Sequence, residues 1–152
     1  MQNSDRKKRI LHSAGMRMRT TMDELRERIG DLRAVTIGDD NAESASQTES
    51  THGSDVELMN QLGEQLEHLQ QELERLQAID PAERSEHVQY GSVVLTDKRN
   101  FLVAASIEEF EVDGEHFLGV TPKAPLIQKM LGMGTGEVLE FNGTAYTIEK
   151  IF

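Results

Sequence analysis

The sequence predicts an α+β chain: an N-terminal antiparallel α-helical coiled-coil hairpin, then a small antiparallel β domain carrying one short helix. Three observations predict it. Two apolar seams of helical period occupy the first half, and a polar connection of about twenty residues separates them. The remainder, from about residue 88, alternates in strand fashion between turn signals.

The first seam runs through Leu11, Met18, Leu25 and Leu32, which recur seven apart, with Met22 and Ile29 each following by four. It predicts a helix over about residues 5–34. The second runs through Met59, Leu62, Leu66, Leu69, Leu73 and Leu76, with spacings of 3, 4, 3, 4 and 3. That alternation is the 3.5-residue period of coiled-coil packing. Either helix alone would leave an apolar stripe in water, and isolated helices are marginal. Packing one on the other removes both stripes, and the connection is long enough for an antiparallel return. Charge agrees: the first helix is net basic, and the second carries Glu57, Glu64, Glu67, Glu72 and Glu74. Ser54 and Glu57 have capping-box spacing and predict the start of the second helix. Thirty helical residues would span about 45 Å. The heptads by themselves also admit a dimeric coiled coil; a hairpin that satisfies its own seam predicts a monomer.

The connection, residues 35–54, is acidic and rich in Ser and Thr, with no apolar period after Ile37. Long connections of this kind are usually functional or disordered. Asp39, Asp40 and Glu43 place three carboxylates within five residues. Such hard oxygen ligands suit Mg²⁺, which typically takes one or two protein carboxylates and keeps several waters. A metal held that way can activate water for phosphodiester hydrolysis. A solvated acidic loop is the plainer reading of the same residues.

Composition changes at Asp80-Pro81. The boundaries are a hairpin over 1–79 with its tip at 35–54, a linker over 80–87, and a C-terminal domain over 88–152. Strands are predicted at Val88–Thr96, Phe101–Ser106, Glu109–Val112, His116–Val120, Glu137–Phe141 and Thr144–Phe152. Asp113-Gly114 and Asn142-Gly143 are two-residue hairpin turns, whose central positions both need positive φ. One helix is predicted over Ala124–Leu131, with Pro125 early and Gly132 as its C-terminal stop. Gly132–Gly136 lacks the following Lys-Ser/Thr of a phosphate loop and reads as a helix-to-strand turn. His116 has no nucleophile-and-carboxylate set around it in the sequence, and His12, His52, His68 and His87 show no metal-ligand spacing. Nothing in this domain reads as catalytic.

Charge narrows the partner. The net charge is −11. Residues 1–34 hold nine Lys/Arg against five Asp/Glu, residues 35–87 two against thirteen, and residues 88–152 five against nine. Free nucleic acid is a poor ligand for such a chain, since phosphate binding needs a concentrated basic surface. The charge argues for a protein partner. The absence of Cys excludes disulfides, zinc-thiolate sites and thiol nucleophiles. No apolar run approaches a membrane span and the basic first residues lead into no signal core, which predicts a soluble, cytoplasmic protein with no membrane partner.

Gly119-Val120-Thr121-Pro122-Lys123-Ala124-Pro125-Leu126, then Lys129-Met130-Leu131-Gly132, then Gly136-Glu137-Val138, resembles the C-terminal domain of the Gre (GreA/GreB) family of bacterial transcription elongation factors. In that family Ser/Thr-Pro-x-x-Pro/Ser-hydrophobic leads into a short helix ending Leu-Leu-Gly, and Gly-Asp/Glu precedes the next strand. Phe141-Asn142-Gly143 with Ile148–Phe152 looks like the family's terminal hairpin, and Tyr90-Gly91-Ser92-Val93-Val94 is similar to its first strand. The resemblance covers about residues 88–152, and the heptad hairpin precedes it in the expected order. It implies an FKBP-like domain without isomerase activity, in a factor that binds bacterial RNA polymerase at its secondary channel. The segment Thr121, Pro122, Lys123, Ala124, Pro125 and Leu126 would contribute to polymerase binding. Gly38-Asp39-Asp40-Asn41-Ala42-Glu43 looks like the family's tip, Gly-Asp-x-x-Glu-Asn-Ala-Glu, shortened by two residues. By that match Asp39 and Asp40 correspond to the two essential acids and Glu43 to the trailing one. Asp39 and Asp40 would help hold Mg²⁺ only within the polymerase active site, so the chain would have no cofactor of its own and would not itself be an enzyme. The alternative implied by the shortened tip is a Gre-like regulator that occupies the channel without stimulating cleavage.

Overall fold

The computed structural model describes the backbone of residues 2–39 and 45–152, and side chains outside 36–52. Two long helices come first, α1 (Gln2–Asp39) and α2 (Ala45–Gln77), forming a helical hairpin. The rest is β1 (Val93–Thr96), β2 (Asn100–Val103), β3 (Ile107–Val112), β4 (Glu115–Val120), α3 (Pro125–Met130), β5 (Val138–Phe141) and β6 (Thr144–Ile151). The described chain divides into two compact units, Arg19–Gln71 and Met1–Met18 with Glu72–Phe152.

In the unit Arg19–Gln71, Met22 and Leu62 are buried. Leu25, Ile29, Leu32, Leu66 and Leu69 are half-buried, as expected for a narrow two-helix seam whose edges meet water. The start of α2 differs from expectation. Ser54 is an exposed residue inside the helix, nine residues beyond its first at Ala45, and caps nothing at its N-terminus. Residues 45–53 contain no proline and a single glycine, Gly53. Extending an existing helix costs little compared with nucleating one, and one interior glycine costs only about 1 kcal/mol. The connection expected over residues 35–54 rests on its lack of an apolar period, and lack of a period does not stop a helix.

The other unit is built on a six-stranded sheet in the order β3-β4-β2-β1-β6-β5. One pair departs from the antiparallel expectation: β2 runs parallel to β4, from Asn100↔Phe117 to Val103↔Val120. The Asp113-Gly114 turn folds β4 back between β3 and β2, so β3 is left at the sheet edge. Asp113, Gly114, Asn142 and Gly143 all have positive φ, as the two hairpin turns require. The first strand is shorter than expected. Val88 instead joins the α3–β5 connection, its N–H donating to Met133 O at 2.9 Å and its carbonyl accepting from Gly132 N–H at 2.9 Å. Gly91, at φ 91°, turns the chain into β1.

Both sheet faces are buried. On one, Val94, Phe101, Val103, Leu139 and Ile148 pack with Val88 and with Ile127 and Met130 of α3. On the other lie Val93, Leu102, Phe110, Val112 and Phe117. There Val93 faces Leu102 in register, and the Phe110 and Phe117 rings stack at 5.8 Å. In the same unit, Ile10, Ala14 and Met18 of α1 and Leu73 and Leu76 of α2 are buried, and they supply the apolar cover this second face needs. Arg6, Arg9 and Arg17 of α1 pair with Glu115, Asp113 and Glu108 of the β3–β4 hairpin. These pairs are largely exposed, so they orient the helix more than they stabilise it. The expected seam residue Leu11 is only half-buried, whereas Ile10 is fully buried. Here α1 serves the sheet as well as α2, and its buried stripe widens accordingly.

Gly119 of β4 leaves no room for a side chain beside Ile107 of β3. A Cβ at that position would stand 2.5 Å from Ile107 Cβ and 2.8 Å from Ala105 O. Neither neighbour is the movable end of a side chain. Gly119→Ala is therefore expected to cost about 1–3 kcal/mol of stability, the usual range for overpacking. Urea unfolding of the two proteins measures it, and an unchanged midpoint would contradict the close approach.

Candidate functional site

The β4–α3 connection carries the segment singled out in the sequence. Ala124, extended at φ −61° and ψ 136°, precedes Pro125 at the first helical position, where a missing N–H is no loss. No side chain caps the helix. Instead the Ala124 N–H donates to Thr121 O at 3.0 Å, and Gln128 reaches back with Nε2 to Pro122 O at 2.6 Å. At the other end the Leu131 N–H donates to Ile127 O at 2.8 Å, and Gly132 leaves the helix with φ 83°. The connection is therefore held at both ends by backbone geometry that only Pro and Gly supply cheaply.

That geometry divides the six residues. Ala124 and Leu126 pack against the core, and Thr121 and Pro122 are half-buried. Of the six, only Lys123 and Pro125 are exposed. Other open groups lie in the same stretch of chain: Leu131 is 39% exposed, Val138 is 60% exposed, and Lys129 Nζ sits 5.5 Å from the centre of the Phe141 ring. Sequence reasoning missed Leu131 and Val138. Val138 and Leu139 are both apolar, so alternation could not tell which faces the core; Leu139 does, at 9% exposure.

Asp39 is the last residue of α1, and its side chain lies outside the described residues, as do Asp40 and Glu43. Among the described residues, no group of three or more His, Asp or Glu side chains could hold a metal ion. His116 is exposed on β4, and its carbonyl accepts from Asn100 Nδ2 at 3.3 Å. Between α3 and the sheet, Phe101, Ile127, Met130 and Ile148 are each at most 1% exposed and pack in one core cluster.

Two clefts, of about 890 and 400 Å³, flank Lys7 of α1; both also meet Glu83 and Ser85. Lys7 is 2% exposed, and its ammonium donates to Glu83 O at 3.4 Å. Burial pushes its pKa below the ordinary 10.5, while the Glu83 and Asp80 carboxylates pull it back up. The folded state thus gives up this proton more readily than the unfolded one, so stability rises with pH in the window leading up to 10.5. Lys7→Met is expected to lose that rise and to be between neutral and about 2 kcal/mol more stable at pH 7, as when other buried ionic groups become apolar. Denaturant unfolding at pH 7 and 9.5 tests it; a variant retaining the full rise would place its cause elsewhere.

Among the described residues no helix is long and apolar enough to cross a membrane. No protein-family model matches the chain, and no curated protein matches it either. Among solved structures, the chain is similar to that of the transcription factor Gfh1, at 14% identity over 91% of this chain and 93% of that one, with a TM-score of 0.35.

Proposed function

We propose that this protein is a Gre-type accessory factor of bacterial RNA polymerase, which binds at the secondary channel and promotes hydrolysis of backtracked transcripts. The reading rests on one observation above others. Three of the residues that carry the resemblance, Gly119, Pro125 and Gly132, each do a specific structural job in a β domain that follows a two-helix hairpin. A chance run of similar residues would have no reason to coincide with a close strand approach, a helix start and a helix stop.

In this reading the protein is not itself an enzyme. The polymerase performs the chemistry with its own Mg²⁺, and Asp39 and Asp40 help to hold a second ion and its attacking water. The protein brings no cofactor. Its acidic balance suits a basic protein channel, not free nucleic acid, and its cellular place would be the cytoplasm, with the polymerase. A second reading is favoured by the shortened tip, in which the first two acids are adjacent. Adjacent helical residues point apart, whereas residues three apart stand side by side. On that reading the protein occupies the channel and regulates without stimulating cleavage.

The test is a transcript-cleavage assay on stalled, backtracked complexes of the cognate polymerase. Release of short 3′ RNA fragments above the polymerase's own rate supports the first reading. No release, together with inhibition of an added cleavage factor, supports the second. No release and no inhibition would overturn both. Docking is tested separately with Lys123→Glu combined with Val138→Asp, two exposed positions whose replacement should leave the fold intact. Polymerase affinity is expected to fall at least about tenfold, equivalent to 1.4 kcal/mol; unchanged affinity would remove these two positions from the interface.

A further inference from the structure

We draw no further inference here: the strongest candidate, the cleft floored by buried Lys7 between the first turns of α1 and residues 81–86, carries nothing, because the ammonium is already answered by the Glu83 carbonyl and the Glu83 and Asp80 carboxylates and no described buried side-chain polar atom is left without a partner to point to a ligand.

Discussion

Replacing Asp39 and Asp40 together by alanine is expected to remove stimulated transcript cleavage while leaving polymerase binding intact. Under the proposed function the two carboxylates act only once they are beside the polymerase Mg²⁺, where they supply charge for a second ion and orient its water. Deleting a preorganised group that stabilises developing charge typically costs on the order of a hundredfold or more in rate. A loss of that size in fragment release, with affinity unchanged in a competition assay, would match the assignment. Asparagine at both positions keeps the shape and removes the charge, so it should be nearly as damaging as alanine. Glu43→Ala should cost less, since it matches only the trailing acid. If the double alanine protein cleaves like the original, the acids are not the working residues. If the original protein does not stimulate at all, inserting two residues between Asp39 and Asp40 becomes the informative variant. A gain of cleavage would show that spacing alone separates the regulator from the cleavage factor.

The second large effect concerns the β domain. Phe101→Ala is expected to cost about 3–5 kcal/mol, the range for deleting a buried aromatic side chain. Phe101 is 1% exposed on β2, a central strand, and belongs to the cluster that includes Ile127, Met130 and Ile148. Its ring lies 6.4 Å from that of Tyr146 at an interplanar angle of 55°. Domains of ordinary size have only about 5–15 kcal/mol in total, so the variant should be partly unfolded on modest heating or in low urea. The chain contains no Trp and only two Tyr, Tyr90 and Tyr146. Near-ultraviolet circular dichroism therefore reports on this domain, while the far-ultraviolet helical signal is dominated by α1 and α2. Loss of the tyrosine signal at lower urea than in the parent protein is the expected result. A stability within about 1 kcal/mol of the parent would mean the core collapses around the gap or is built otherwise.

Several features were legible before any coordinates. The hairpin follows from the two seams, because a 3.5-residue apolar period has few uses other than helix pairing. The turns at Asp113-Gly114 and Asn142-Gly143 follow from the φ > 0 requirement, and Pro125 and Gly132 bracket α3 for equally local reasons. Local chemistry decides these elements, and local chemistry is what a sequence displays most directly.

Tertiary structure decided the rest. The helix ends are an exception of local origin: α1 runs to Asp39 and α2 back to Ala45, because a helix needs a reason to stop and a polar stretch does not provide one. Ile10 rather than Leu11 is fully buried because α1 meets a sheet face as well as a partner helix. The parallel β2–β4 pair depends on which side of β2 the returning hairpin joins, and no residue-by-residue pattern encodes that choice. Gly119 is required by the approach of Ile107 and Ala105, residues more than ten positions away in the chain. The division of Thr121–Leu126 into packed and open residues is likewise set by the core beneath it. The sequence by itself determined which kinds of element follow one another and where the sharp turns fall, because those depend on neighbours along the chain. Which side chains are left to meet a partner was decided only when distant segments packed, because burial is a property of neighbours in space.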